Sequence, residues 1–166
     1  EQPPKMLTFE SFYPGDVNAF TFKLSQAVAT DPGGKYNPFF LFGHVGVGKT
    51  HLISAIGNGI FLQHGKSRVG YISASHFAKR LDDALKLGAL DAFRENYAHW
   101  DVLILDDIQF LGGRVEAQEE FFHIFNVLHQ QGRQIIIASD KAPDRLGLLE
   151  QRLVSRFASG IVAELK

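Results

Sequence analysis

The stretch GHVGVGKT at residues 43–50 decides the fold class of this chain. It fits the pattern G-x-x-x-x-G-K-[ST], whose glycines let the backbone wrap a phosphate with its N–H groups pointing inward. In this pattern Lys49 reaches the β- and γ-phosphates, and the Thr50 hydroxyl ligates Mg²⁺. An apolar run precedes the loop and a helical pattern follows it, which favours a phosphate site over a chance glycine-rich turn. The residues predicted to bind nucleotide are Gly43, Gly46, Val47, Gly48, Lys49, Thr50 and His51.

Strand and helix patterns alternate along the chain. The predicted strands are 38–42, 68–74, 101–107, 133–140 and 159–165. The predicted helices are 51–65, 75–100 with a break near Gly88, 116–132 and 143–157, the last as one or two short helices. Such alternation predicts an α/β fold, with a parallel sheet covered by helices on both faces.

Composition limits the class of protein. With 166 residues, of which 45% are hydrophobic, the chain is predicted to form a single domain, residues 1–166. It has no cysteine and no apolar stretch of membrane-spanning length, so the simplest location is a reducing cytoplasm. A net charge of −1 argues against a surface that grips DNA unaided. Because the chain stops directly after a strand, we expect it to be a piece of a longer protein.

The segment VLILDD at 102–107 places two carboxylates at the end of a buried strand. In an open parallel sheet this end faces the ligand crevice. We predict that Asp106 holds Mg²⁺ and that Asp107 orients or deprotonates an attacking water. The alternative is an ordinary solvated strand end.

The segment IIIASD at 135–140 repeats this pattern on the next strand. Ser139 and Asp140 would then lie in the same crevice near the γ-phosphate, where Asp140 could help to position the water. On local grounds alone, a turn initiator before Pro143 is equally acceptable.

The segment RLVSRF at 152–157 carries Arg152 and Arg156 on one helical face. Glu150 is the only carboxylate close in sequence, and helical spacing predicts that it faces elsewhere. From the residues alone, the default interpretation is two surface arginines on a short helix.

Five segments together resemble the AAA+ ATPase domains of the DnaA family of bacterial replication initiators. They are YNPFFLFGHVGVGKTHLISAIGNGI (36–60), LILDDIQFLGG (103–113), QEEFFHIFN (118–126), IIIASD (135–140) and RLVSRF (152–157). The resemblance extends from residue 8 to residue 165. It implies a five-stranded parallel sheet in the order 5-1-4-3-2, bound ATP or ADP with Mg²⁺, and weak ATPase activity that acts as a switch.

The same resemblance assigns a role to RLVSRF. Members of the family hold ATP between neighbouring subunits, so Arg156 would be an arginine finger that completes the site of the next subunit, supported by Arg152. The implied partners are further copies of the chain, origin DNA and other replication proteins. The family's helical lid would follow Lys166, and its helix-turn-helix and N-terminal domains lie outside this sequence.

At the DNA-facing positions the chain departs from the family. Arg114 keeps the first basic position, but Glu116 and Ala117 follow where basic and hydroxyl residues are expected. Asp82 occupies the expected apolar position on the insertion helices. The two new carboxylates would repel a phosphate backbone.

Three functions therefore remain open on the sequence. The first is the ATPase core of a DnaA-type initiator. The second is a DnaA-like regulatory adaptor, or a helicase-loader-type ATPase, that docks a replication partner with little direct DNA binding. The third is a small-molecule P-loop kinase, which is disfavoured because the sequence shows no second substrate site and Arg156 would have no purpose.

Overall fold

A computed structural model describes residues 2–166, and its centre is one parallel sheet. The five strands are β1 Phe39–Phe42, β2 Val69–Ser73, β3 Val102–Asp106, β4 Gln134–Ser139 and β5 Ile161–Glu164. Their order is β2-β3-β4-β1-β5, and every pair is parallel. This confirms the predicted fold class and the predicted order 5-1-4-3-2, which is the same order written from the opposite edge.

Within residues 2–166, six α-helices connect or flank the strands. They are α1 Ala19–Thr30, α2 Lys49–His64, α3 Ala74–Lys86, α4 Leu90–Ala98, α5 Val115–Gln130 and α6 Gln151–Phe157. Short 3₁₀ turns lie at Ile108–Leu111 and Pro143–Arg145. The predicted segment 75–100 is two helices, and Gly88 separates them with φ +65°, a conformation that glycine adopts without steric cost.

The sequence patterns did not predict α1. Its buried side chains include Thr21 and Ser25 beside Leu24 and Val28, so the apolar periodicity is interrupted. Ser25 donates to the carbonyl of Thr21 at 2.9 Å, which satisfies its buried hydroxyl within the helix. A helix whose inward face is partly polar gives only a weak signal in the sequence.

Both faces of the sheet are covered, because successive side chains of a strand point to opposite sides. On one face, Phe40 packs with Phe121, Phe125 and Phe157 from α5 and α6. On the other face, Phe39 and Leu41 pack with apolar side chains of α1 and α2. The sheet is therefore packed on both faces. Polar residues lie at its carboxyl edge, where the C-terminal ends of the parallel strands meet.

Strand register brings the carboxyl ends of β1, β3 and β4 to that edge. Phe42 pairs with Ser139, and the amide of Gly43 donates to the carbonyl of Ser139 at 3.2 Å. A Cβ on Gly43 would lie 2.3 Å from the carbonyl oxygen of Leu165, so the chain needs glycine where the loop leaves β1. The phosphate-loop segment thus begins beside the polar ends of the neighbouring strands.

Candidate functional site: a cleft at the carboxyl edge of the sheet

The glycine-rich loop forms one wall of a cleft. Gly46 and Gly48 have φ of +85° and +103°, which L side chains rarely adopt, so these two glycines allow the backbone to wrap. Gly48 is the N-cap of α2, and the helix therefore directs its positive end into the loop. The cleft has a volume of about 400 Å³ and is lined by Val45, Gly46, Gly48, Lys49, Thr50, His51, Asp107, Gln109 and Asp140.

Lys49 is buried beneath the loop. Its ammonium donates to the carbonyl of Gly43 and, at 2.9 Å, to the carbonyl of His44. Burial lowers the pKa of Lys49, while the negative charges of Asp107, Asp106 and Asp140 act in the opposite direction. The loop thus holds a partly desolvated lysine ammonium. A bound phosphate would give this ammonium a further hydrogen-bond acceptor.

Asp106 receives two hydroxyl groups on the same oxygen. Thr50 Oγ1 donates to Asp106 Oδ2 at 2.7 Å, and the hydroxyl of Tyr71 donates to it at 2.6 Å. The side chain is 2% exposed, and its other oxygen, Oδ1, is buried without a hydrogen-bond partner among residues 2–166. Burial and the adjacent Asp106 raise the pKa of Tyr71, which keeps the phenol protonated as a donor.

This donor set fits Mg²⁺. Magnesium is usually bound by one or two carboxylates together with substrate phosphates and waters, rather than by a cage of protein side chains. Asp106 offers a buried unpaired oxygen, Oδ1, and the Thr50 hydroxyl at the start of α2 donates to the other oxygen of the same carboxylate. The two residues that the sequence assigned to the metal are therefore in contact with each other.

Asp107 leaves β3 in a left-handed conformation with φ +58°, the only positive φ of a non-glycine residue in the described range 2–166. Burial raises the pKa of its carboxyl, the charge of Asp106 adds to this, and Gln109 and Lys49 oppose it. A carboxylate that is destabilised in this way is better suited to accept a proton than an ordinary surface aspartate.

Gln109 connects Asp107 with the end of β4. Its Nε2 donates to Asp107 Oδ1 at 3.3 Å, and its Oε1 accepts from the backbone N–H of Asp140 at 3.2 Å. Asp140 Oδ1 is buried and has no hydrogen-bond partner within the described range. Gln109 lies in the segment LILDDIQFLGG, two residues after Asp107, but its residue type and spacing alone indicate no role in the site.

His51 lines the cleft, but its ring is turned toward the N-terminal segment. Its Nε2 lies 3.0 Å from the Thr8 carbonyl oxygen and 3.0 Å from the Ser11 hydroxyl. The ring also packs edge-on against Phe12. His51 therefore anchors the segment that precedes α1 beside the loop.

Arg152 and Arg156 lie on α6 and are exposed. Their guanidinium carbons lie 4.4 and 5.8 Å from the centre of the Phe122 ring. Within the part of the chain that the structure describes, neither residue lines the cleft. The expectation that Glu150 faces away from Arg152 is wrong, because their side chains form a 2.8 Å ion pair. Glu150 caps α6 in an extended conformation, so helical spacing does not apply to it.

The residues considered for DNA contact are all on the surface except Ala117, which is buried. Arg114 immediately precedes α5, Glu116 is in its first turn, and Asp82 is exposed on α3. Glu116 and Asp82 both present carboxylates to solvent.

No helix within residues 2–166 has the length and apolarity required to span a membrane.

The sheet order, the glycine loop at the start of α2 and the aspartates that end β3 define a P-loop nucleoside triphosphatase domain of the AAA+ type. The family model for the bacterial DnaA ATPase domain matches residues 4–164, and the chain belongs to this family.

Individual relatives agree with this assignment. The chromosomal replication initiator protein DnaA of Citrifermentans bemidjiense is 45% identical over 159 residues, which cover 96% of this chain and 35% of that protein. The chain therefore spans about a third of the length of that curated relative. Domain III of the replication initiation protein DnaA of Thermotoga maritima matches with a TM-score of 0.96 and 44% identity, over all of this chain and 69% of that one.

A second solved structure contains ligands. It is described as replication initiator DnaA bound to AMPPCP and single-stranded DNA, and it matches with a TM-score of 0.94 and 42% identity. The match covers all of this chain and 51% of that chain.

Proposed function

We propose that this chain is the ATP-binding, ATP-switched assembly domain of a DnaA-type replication initiator. One observation carries most of the proposal: a buried lysine, a hydroxyl and a carboxylate with an unpaired buried oxygen surround the glycine loop. These are the groups that a magnesium nucleotide needs. The relative solved with AMPPCP supports the choice of an adenine nucleotide.

The site residues have separate tasks in this proposal. The loop amides and Lys49 bind the phosphates, while Thr50 and Asp106 hold Mg²⁺, which supplies positive charge to the phosphate oxygens. Asp107 orients the attacking water and accepts its proton. Asp140 lines the same cleft from the end of β4, where it would help to position the water.

Arg156 acts on a neighbouring copy of the chain. It is exposed on α6 and lies outside its own cleft, so its charge is available to another subunit. If each copy places its Arg156 at the cleft of the next copy, the copies form an oligomer in which each ATP lies between two subunits. ATP hydrolysis in the isolated chain should then be slow, because no neighbour supplies the guanidinium group.

Isothermal calorimetry with Mg²⁺-ATP tests the nucleotide site. Lys49→Ala removes charge-assisted hydrogen bonds worth about 1.5–3 kcal/mol, so affinity should fall by about 10–150-fold. Lys66→Ala is the matched control, because Lys66 is exposed beyond the end of α2. Equal affinities for the wild-type chain and the Lys49→Ala variant would contradict the proposal.

The initiator and the alternative function differ in how strongly this chain should bind DNA. In the initiator proposal, the chain assembles on origin DNA through the Arg114 region or through a further domain. The exposed Asp82 and Glu116 favour the alternative, a regulatory adaptor or helicase-loader-type ATPase that docks a replication partner and contacts DNA weakly.

Fluorescence anisotropy with a labelled single-stranded oligonucleotide separates these two functions. If the wild-type chain binds and Arg114→Ala weakens binding, the initiator is favoured. If binding is weak in the wild-type chain and Glu116→Lys strengthens it, the acidic face excludes DNA and the adaptor is favoured. Glu10→Lys makes the same charge change at an exposed position before α1 and serves as the control.

A further inference from the structure

Gln109 occupies the cleft without a role in the site described above. It lies in the 3₁₀ turn Ile108–Leu111, directly after the two aspartates that end β3. Its side-chain amide spans from the Asp107 carboxylate, at 3.3 Å, to the backbone N–H of Asp140, at 3.2 Å. Gln109 is thus a polar link between the carboxyl ends of two neighbouring strands.

The two partners fix the orientation of this amide. A backbone N–H can only donate, so the Oε1 of Gln109 must face Asp140. An ionised carboxylate can only accept, so the Nε2 must face Asp107. One orientation satisfies both contacts, and rotating the amide by 180° would break both.

We propose that Gln109 is a positioning residue that fixes the Asp107 carboxylate relative to Asp140. The inference rests on the proposed function, because it concerns the aspartate that would activate water in an ATP site. The Gln109 amide donates a hydrogen bond to Asp107 Oδ1, which leaves the other carboxylate oxygen of Asp107 available to a water. It also ties the carboxylate to the rigid end of β4, where the Asp140 side chain faces the same cleft.

The constraint matters because of the backbone at Asp107. The residue turns out of β3 with φ +58°, and only a short turn follows it. Gln109 makes the one side-chain hydrogen bond to the Asp107 carboxylate within residues 2–166. Without this bond the carboxylate could take other rotamers, and a misplacement of about 1 Å is enough to cost roughly a hundredfold in rate.

Two substitutions separate the two contacts of Gln109. Gln109→Glu keeps an acceptor for the Asp140 N–H but places a carboxylate against Asp107. Gln109→Met has a similar shape and loses both hydrogen bonds. Gln130→Glu and Gln130→Met make the same changes at an exposed position at the end of α5 and serve as controls.

The first measurement needs no nucleotide. Amide hydrogen exchange and the ¹H–¹⁵N shift of Asp140 should change in Gln109→Met, remain near wild type in Gln109→Glu, and remain unchanged in both Gln130 controls. An Asp140 amide that is the same in Gln109→Met and in the wild-type chain would overturn the inference. This arm is independent of ATP, so it still decides the inference if the nucleotide proposal fails.

The second measurement compares binding with turnover. Gln109→Met, which changes no charge, should keep the wild-type affinity for Mg²⁺-ATP and lose roughly 10–100-fold in single-turnover hydrolysis, while Gln109→Glu should also bind ATP more weakly because it adds a negative charge to the cleft. Wild-type turnover in Gln109→Met would overturn the positioning role, and so would a loss of affinity in that variant that accounts for the whole loss of rate. If the wild-type chain hydrolyses too slowly to measure, the nucleotide-free measurement on Asp140 decides alone. Failure of the wild-type chain to bind ATP would contradict the proposed function and leave that measurement valid.

Discussion

Replacing Tyr71 by phenylalanine removes one hydroxyl from the buried carboxylate of Asp106 and leaves the aromatic ring. The lost bond is a 2.6 Å hydrogen bond to a side chain that is 2% exposed. Hydrogen bonds to charged groups contribute about 1.5–3 kcal/mol net. Thr50 still donates to the same oxygen at 2.7 Å, so we expect the lower part of this range.

We therefore expect Tyr71→Phe to lower the free energy of unfolding by about 1.5–2 kcal/mol in the absence of nucleotide. For a domain of this length, 1 kcal/mol shifts the melting temperature by roughly 2–4 °C, so the midpoint should fall by about 3–8 °C. Urea unfolding at neutral pH measures the change, and an unchanged m-value would show that it arises in stability rather than in the compactness of either state.

Tyr13→Phe is the control, because Tyr13 is 90% exposed and its hydroxyl is solvated. The control should lie within about 0.5 kcal/mol of the wild-type chain. If Tyr71→Phe unfolds with the same free energy as this control, the hydroxyl does not stabilise Asp106, and the account of a preorganised metal carboxylate is wrong.

Three further substitutions test other parts of the structure. The pKa of Asp107 is raised in the folded chain, so its ionisation opposes folding. Asp107→Asn should therefore stabilise the nucleotide-free chain at neutral pH, and the gain should disappear as the pH falls to about 3, where Asp107 is protonated in both states. Urea unfolding between these pH values tests this, and a gain that is independent of pH would contradict it. Phe157→Ala should cost about 3–5 kcal/mol because the ring is fully buried, whereas Phe20→Ala, at a residue 72% exposed, should cost less than about 0.5 kcal/mol; equal thermal midpoints would refute this. Gly48→Ala should cost about 1–2 kcal/mol at φ +103° and should weaken nucleotide binding in calorimetry, and wild-type behaviour would show that the loop does not need glycine there.

The phosphate loop and the carboxylates that end β3 could be predicted because their signals are local. The phosphate-binding motif at 43–50 consists of eight consecutive residues, so it is recognisable without any long-range contact. The loop lies between β1 and α2 as expected. The carboxylates of 106 and 107 end a run of buried apolar residues, which placed them at the sheet edge. The resemblance to the DnaA family then supplied the strand order, which the structure confirms.

Contacts between distant residues could not be predicted. Tyr71 reaches Asp106 only because Ser73 pairs with Asp106 across β2 and β3, and no local pattern records that register. The bridge from Gln109 to Asp140 likewise depends on the packing of a turn against another strand. The ion pair between Glu150 and Arg152 could not be predicted from helical spacing, because Glu150 is the extended N-cap residue of α6.

The most direct test of the account mixes two inactive variants. Lys49→Ala should bind ATP about 10–150-fold more weakly than the wild-type chain, so its site stays mostly empty at ATP concentrations near the wild-type Kd. Arg156→Ala should bind ATP with wild-type affinity but supply no arginine finger. In a mixed assembly, the Arg156→Ala chain binds ATP and its Lys49→Ala neighbour donates an intact Arg156. We predict ATP hydrolysis or ATP-dependent association in the mixture that neither variant shows alone, and the finger can contribute ~10³–10⁵ in rate. If Arg156→Ala weakens ATP binding as much as Lys49→Ala does, or if the mixture stays inactive where the wild-type chain is active, the shared site is contradicted.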